Sequence, residues 1–231
     1  MRDDNAQSQA ILLANNISLH RKQSCLLMDI SLGIKAGKTT VIMGHNGAGK
    51  TLLLSALHGL ISITDGTITS TPNTSQKMVF QKPILLRRSA KAHFTFASGI
   101  KEPHLIHKWF QQAGIEDKMP LQARHLSSGE AQKLALISAL ATRPDILFLD
   151  EPTANLDSES RADVEALIIN AKQSGTTIVM VTHALAQAKR LADHVIFMQK
   201  GSIYDDCAAT HFFAGERSCE ADAFLSELSG S

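Results

Sequence analysis

The chain is poor in several features that mark special classes of protein, and each scarcity excludes one. Its 231 residues include only three cysteines, Cys25, Cys207 and Cys219, without paired spacing, so we expect neither a disulfide framework nor a zinc site. The formal net charge is only +1, so no basic field indicates nucleic acid as a partner. The uncharged stretch 51–64 is shorter than the roughly 20 residues that span a bilayer, so we expect any membrane role to act through a partner. The polar start does not resemble a signal peptide, and residues 1–8 are predicted to be a disordered tail.

Apolar residues alternate between strand and helix patterns, which is typical of an α/β protein. A helix is predicted over 159–171, with Asp157 or Ser158 at its N-cap. Residues 84–125 lack a clear apolar strand, and we interpret them as an inserted, mostly helical lobe. Short strands are predicted at 11–13, 17–19, 40–43, 67–69, 78–80, 146–149, 177–181 and 194–198.

A phosphate-binding pattern occupies residues 44–51, which read Gly-His-Asn-Gly-Ala-Gly-Lys-Thr. This is a full match to G-x-x-x-x-G-K-[ST], between a predicted strand and a leucine-rich stretch, the context that the motif requires. Glycines let backbone N–H groups approach phosphate oxygens, and the following helix adds its positive end. We therefore predict a nucleoside triphosphate ligand, with Lys50 on its β- and γ-phosphates and the Thr51 hydroxyl on magnesium.

Two carboxylates follow the strand predicted at 146–149. Asp150 and Glu151 come at its carboxyl end, where open α/β sheets bind ligands. Asp150 can hold the magnesium shell, and Glu151 is then free to orient and deprotonate an attacking water. Together with the phosphate-binding pattern, this pair predicts nucleotide hydrolysis.

Further short motifs occur in a characteristic order along the chain. Residues 126–130 read Leu-Ser-Ser-Gly-Glu, Gln81 ends a predicted strand, residues 154–157 read Ala-Asn-Leu-Asp, and His183 follows the strand at 177–181. With the phosphate-binding pattern, this set resembles the nucleotide-binding subunit of an ATP-binding cassette (ABC) transporter over nearly the whole chain.

The resemblance implies a fold and a division of the chain. The fold would be an α/β, P-loop NTPase (RecA-like) core with an antiparallel β subdomain and an inserted α-helical subdomain. One ABC ATPase domain would then occupy 1–231, with the core and β subdomain at 1–83 and 144–231 and the helical signature subdomain at 84–143.

The resemblance also implies a role for each motif residue. Glu151, His183 and Gln81 would be catalytic, with Gln81 reaching both the magnesium and the water. Thr51, Gln81 and Asp150 would hold Mg²⁺. ATP would be contacted by Gly44, His45, Asn46, Gly47, Ala48, Gly49, Lys50 and Thr51 of one copy and by Ser127 and Gly129 of the other.

The assembly that the resemblance implies is a homodimer that closes around ATP and drives transmembrane permease subunits. The subunit would lie peripherally on the cytoplasmic face of the inner (cell) membrane, with an extracytoplasmic solute-binding protein as a further partner and no nucleic acid. Residues 78–89 and the tail at 212–225 resemble tungstate-type oxyanion importers. The alternatives are an exporter or lipoprotein-release ATPase, or a soluble ABC-type ATP switch.

Two departures from the family pattern are expected to matter. Ser128 and Glu130 replace the commoner glycine and glutamine of the signature. The aromatic residue that usually stacks on adenine is missing, and His20 and Arg21 lie at about that place. We expect weaker discrimination between bases, with His20 or Arg21 as the stacking group.

Overall fold

A computed structural model describes residues 10–21 and 24–229, so the tail predicted at 1–8 lies outside the described residues. The chain divides into two compact units. The first unit comprises the described parts of Met1–Ser75 and Thr177–Ser231, and the second comprises Gln76–Thr176. Within the described ranges, no helix combines the length and the apolar character needed to cross a membrane.

The first unit contains two groups of strands. An antiparallel sheet has the order β2-β1-β4, and a second group has β7, β3 and β8 in parallel with β9 antiparallel to β8. Strands β3 and β7 are buried along their whole length, as expected when helices cover both faces of a parallel sheet. The strands of this unit are β1 (Ala10–Arg21), β2 (Ser24–Lys35), β3 (Thr39–Met43), β4 (Asp65–Ser70), β7 (Thr177–Val181), β8 (His194–Gln199) and β9 (Ser202–Ala208).

Four helices complete the first unit. Helix α1 follows β3, helix α6 follows β7, and the last two end the described chain. A core of phenylalanines from β8 and the two last helices is fully or almost fully buried. The helices are α1 (Lys50–His58), α6 (Leu185–Leu191), α7 (Ala209–Ala214) and α8 (Cys219–Ser229).

The second unit pairs two parallel strands, β5 (Gln76–Val79) and β6 (Ile146–Asp150). The predicted helical lobe is helical: it contains α2, α3 and two short 3₁₀ turns, and α4 follows it. The prediction for the helix after β6 is confirmed, since this helix begins at Ser158 with Asp157 as its N-cap. The helices are α2 (Ala90–Ser98), α3 (Pro103–Gln112), α4 (Ser128–Leu140) and α5 (Ser158–Gln173).

Three strand predictions need correction. The strands predicted at 11–13 and 17–19 form one strand, β1, whose register shifts between Ala14 and Ile17. The strand predicted at 78–80 is displaced, because β5 ends at Val79. Strands β2 and β9 were not predicted.

Candidate active site

The phosphate loop, residues 44–51, joins β3 to α1 in a conformation that requires glycine. Gly44 has φ +143°, and a Cβ there would lie 2.1 Å from the carbonyl oxygen of Met198. Gly49, with φ +101°, is the N-cap of α1 and offers that helix no side-chain cap. Because the N-cap residue has no side chain, it leaves room for an anion at the positive end of α1.

The middle of the loop is anchored at one side and exposed at the other. Ala48 is buried; its N–H donates to the His45 carbonyl at 3.1 Å, and its own carbonyl accepts from Gly201 at 3.0 Å. Asn46 and Gly47 are exposed. The anchored residues fix the loop while the exposed ones remain accessible to a ligand.

Lys50 is buried although it is charged, with 6% of its surface exposed. Its ammonium donates to the carbonyl oxygens of Gly44 and His45, at 2.8 and 2.9 Å. Thr51, the next residue, is exposed on the first turn of α1. Because a phosphate oxygen carries more charge than a carbonyl oxygen, it is a stronger acceptor for the Lys50 ammonium.

His183 comes to the same edge of the first unit as the phosphate loop. Strands β3 and β7 run parallel with Ile42 opposite Val181, and two residues further along come Gly44 and His183. The turn before His183 is fixed by buried Thr182, whose hydroxyl accepts from the Ala184 N–H at 3.1 Å. His183 itself is exposed.

The second unit brings Gln81 and Glu151 together in the same way. Val79 of β5 pairs with Leu149 of β6, and two residues beyond each come Gln81 and Glu151. The Gln81 amide donates from Nε2 to Glu151 Oε2 at 3.1 Å. Two residues predicted to be catalytic, 70 positions apart in sequence, are thus in direct contact.

The backbone at Glu151 is strained. Its φ is +46°, in the left-handed region that residues with a Cβ rarely adopt. Asp150, the last residue of β6, is buried with 8% exposure, so the chain turns between two carboxylates in different surroundings. Such strain is concentrated at functional sites, where it fixes a side chain in one direction.

The signature segment, residues 126–130, forms the start of α4. Ser127 is the N-cap: its hydroxyl accepts from the Glu130 N–H at 3.3 Å, while Glu130 Oε2 accepts from the Ser127 N–H at 2.8 Å. Lys118 lies 3.3 Å from the other Glu130 oxygen. Burial raises the pKa of the Glu130 carboxyl, but these hydrogen bonds outweigh it and leave the pKa below its usual value.

The start of α4 is packed against the start of α5. A Cβ on Gly129 would lie 2.3 Å from the Ser160 hydroxyl, so only glycine permits this approach. Ser160 is held in turn by Asp157, whose carboxylate accepts its N–H at 2.8 Å, and this hydrogen bond lowers the pKa of Asp157. Further along, Lys133 donates to Asp163 at 2.9 Å.

The spacing of Ser127 and Glu130 is the sequence signal of a capping box, and this hydrogen-bonding pair explains why a carboxylate is tolerated in the signature. Three other contacts of the signature region and α4 were not predicted from the sequence. Nothing in the sequence points to the contacts of Ser160 with Gly129, of Lys118 with Glu130 or of Lys133 with Asp163, because each contact joins separate elements of the chain.

The base-stacking prediction stays open. His20 lies in β1 with its Nε2 4.0 Å from Asp65 Oδ2, and Arg21 is exposed. Both residues are accessible, but neither is tied to a base by the geometry.

Comparison with known proteins gives a consistent result. A family model described as ABC transporter matches residues 27–154. The tungstate uptake system ATP-binding protein TupC of Peptoclostridium acidaminophilum is 34% identical over 186 residues, covering 75% of this chain and 87% of that protein. The glutamine transport ATP-binding protein GlnQ of Bacillus subtilis is 29% identical over 234 residues, covering 92% and 97%.

A solved structure supports the fold. The structure of cbiO1 from Clostridium perfringens, described as part of the ABC transporter complex cbiONQ, is similar with a TM-score of 0.77 at 26% identity, covering 90% of this chain and 92% of that one. The predicted α/β, P-loop fold class is confirmed by this likeness.

Proposed function

The chain belongs to the ABC transporter family as an ATP-hydrolysing subunit, and from that premise we propose that it powers the import of a small oxyanion, with tungstate as the first candidate. The observation that carries the substrate proposal is the 34% identity to TupC across 87% of that protein. The sequence likeness of residues 78–89 and 212–225 to tungstate-type importers supports it.

The phosphate loop supplies binding in this proposal. Lys50 exchanges its two carbonyl acceptors for the β- and γ-phosphate oxygens of ATP, and the backbone N–H groups from Gly44 to Gly49 surround the phosphates. His183 holds the γ-phosphate. These contacts stabilise the bound nucleotide but do not by themselves activate water.

Hydrolysis is assigned to the second unit. Glu151 takes the proton from the attacking water, and Gln81, which donates to Glu151 in this structure, keeps that carboxylate oriented until water binds. The strained φ of +46° restricts where the Glu151 carboxylate can point.

The donor set fits magnesium. The hydroxyl of Thr51, the carboxylate of Asp150 and the amide oxygen of Gln81 are hard oxygen donors, which Mg²⁺ prefers. Bound with ATP, the ion would neutralise phosphate charge as the γ-phosphoryl group leaves. Within the described ranges, no three His, Cys, Asp or Glu side chains group to hold a metal.

The active form in this proposal is a homodimer. Ser127 and Ser128 are exposed at the N-terminus of α4, where the positive end of the helix favours an anion. We assign Ser127 and Gly129 to the γ-phosphate of ATP held by the second copy. ATP closes the dimer because it binds the closed state more tightly, and hydrolysis reopens it.

The partners proposed are permease subunits and an extracytoplasmic solute-binding protein. The subunit would lie at the cytoplasmic face of the cell membrane, held there by the permease. The description of cbiO1 as part of a transporter complex supports the permease. The match to GlnQ over 97% of that protein supports a second candidate, import of an amino acid.

Uptake by the reconstituted transporter separates the two candidates. The complex containing this chain is purified through a tag, placed in ATP-loaded vesicles, and supplied with its binding protein and labelled tungstate or glutamine. We expect ATP-dependent accumulation of tungstate, abolished by Glu151→Gln. Accumulation of glutamine alone, or efflux of either solute, would contradict oxyanion import.

A further inference from the structure

The C-terminal helix α8 contacts the phosphate loop directly, at the side chain of His45. The Phe224 ring meets the His45 imidazole edge-to-face, with centroids 4.9 Å apart and planes at 77°. Glu227, one turn further along, places Oε2 3.8 Å from His45 Nδ1. A loop residue whose backbone serves the phosphates is therefore held by its side chain from a distant part of the chain.

His45 also contacts the lysine of the loop. Its carbonyl oxygen accepts from the Lys50 ammonium at 2.9 Å. A shift of His45 would move this carbonyl oxygen and therefore also the Lys50 ammonium group that donates to it. The contacts therefore run in series from α8 through His45 to Lys50.

Phe224 itself is fixed by the core. It is 3% exposed and packs on Phe197 with centroids 5.4 Å apart, and Phe197 pairs with Met43, the residue just before the loop. The Phe224 ring is therefore held in place by the core, and the His45 imidazole packs against it.

Helix α8 is anchored independently of His45. Asp205 of β9 accepts from the Ser218 N–H at 2.8 Å, just before the helix begins. Arg217 donates to Asp222 within the helix and to the Phe212 carbonyl at 2.6 Å. Loss of the Phe224 ring should therefore change the contact to the loop more than the position of the helix.

We propose that Phe224 and Glu227 are positioning residues that set the phosphate loop for ATP by holding His45. The proposal rests on nucleotide binding by this loop, as in the proposed function. Of the two residues, Glu227 is expected to contribute less to holding His45, because its side chain is 68% exposed and solvent screens such a contact. Phe224 belongs to the tail at 212–225, which resembles tungstate-type importers and contains no catalytic motif. The proposal gives this tail a role in nucleotide binding.

A double-mutant cycle tests the proposal on the full chain by titration calorimetry with Mg-ATP. Phe224→Leu keeps an apolar side chain in the core but removes the ring. We expect the Kd for ATP to rise about three- to tenfold, the size of one aromatic contact, and KM to rise while kcat is unchanged. In a His45→Ala background the same substitution should cause no further change.

Two further variants sharpen the result. Phe213→Leu removes a ring that packs on Phe212 of α7, and it should leave ATP affinity unchanged. Glu227→Ala, at an exposed position that leaves the core intact, should weaken ATP binding up to about threefold with His45 present and not without it.

The outcomes are distinct. Unchanged affinity in both Phe224→Leu and Glu227→Ala, or equal losses with and without His45, would overturn the positioning role. If Phe224→Leu does not fold, the Glu227→Ala cycle alone decides. A wild-type chain that binds no ATP would instead refute nucleotide binding by the loop.

Discussion

The phosphate loop of the first unit and the acidic edge of the second unit (Gln81, Asp150 and Glu151) have the same position relative to their strands but present different chemical groups. Both lie just beyond the carboxyl ends of two paired parallel strands. The loop presents mainly backbone groups, fixed by close packing at Gly44 and by hydrogen bonds to Gly201. The acidic edge presents side chains, and Gln81 donates a hydrogen bond to Glu151.

This difference indicates a division of labour. A preformed backbone cradle binds phosphate at little cost in reorganisation, since its amide groups already point in fixed directions. A carboxylate that accepts from a side-chain amide can exchange that hydrogen bond for one from water and accept a proton. Changes in the loop should therefore appear in nucleotide affinity, and changes at the acidic edge should appear in turnover.

The largest effect is expected for Glu151→Gln, which removes the proposed base but keeps the shape of the side chain. ATP turnover should fall about 10²- to 10⁴-fold, the usual contribution of a general base, with ATP affinity kept. Steady-state ATPase assays and calorimetry on the same preparation measure both. Turnover at the wild-type rate would remove Glu151 as the base.

Lys50→Met should produce the complementary defect. Loss of the charged hydrogen bonds should weaken ATP binding by about 1.5–3 kcal/mol, as measured by calorimetry. Lys38→Met is the matched control, because Lys38 is exposed at the opposite end of β3 and should leave affinity unchanged. If Lys50→Met binds ATP normally, the loop does not bind phosphate as described.

Gly129→Ala tests the packing of the signature segment. Its Cβ would overlap the Ser160 hydroxyl, so stability should fall by about 1–3 kcal/mol, as for overpacked sites. Chemical denaturation measures the loss. Ser160→Gly in the same chain should restore most of it, and failure of this rescue would show that the close approach of α4 and α5 is not the cause.

The smallest effect is expected for Glu130→Gln, and it depends on pH. Because the folded pKa of Glu130 lies below its usual 4.5, its carboxylate stabilises the folded state above that pH and loses this effect as the pH falls. Wild type should melt about 1–3 °C higher than the variant at pH 7. This difference in melting temperature should shrink as the pH falls below 4.5, and a difference that is constant with pH would contradict the assignment.

Much of the fold was predictable because its central strands are short, apolar and bounded by turns. Strand β9 was not predicted because Asp205 and Asp206 disfavour a strand. Their hydrogen-bond partners, Ser218 and His194, are brought to them only by the tertiary structure. Strand β1 was predicted in two pieces because Asn16, with φ +49°, interrupts its pattern at the register shift.

The residues of the candidate site were proposed from the motifs, but their arrangement could not be. The motifs identified Gln81 and Glu151, yet their hydrogen bond depends on the pairing of β5 with β6. The contact of Phe224 with His45 could not be predicted from the sequence, because it joins a loop to a distant helix through tertiary packing alone.

The most direct test of the central claim, that each ATP site is completed by a second copy, is the ATPase rate per subunit as a function of concentration, with sedimentation on the same samples. We expect monomers to bind ATP but hydrolyse it slowly, and the rate per subunit to rise as dimers form. Rapid hydrolysis by strictly monomeric protein, at a rate independent of concentration, would contradict the claim.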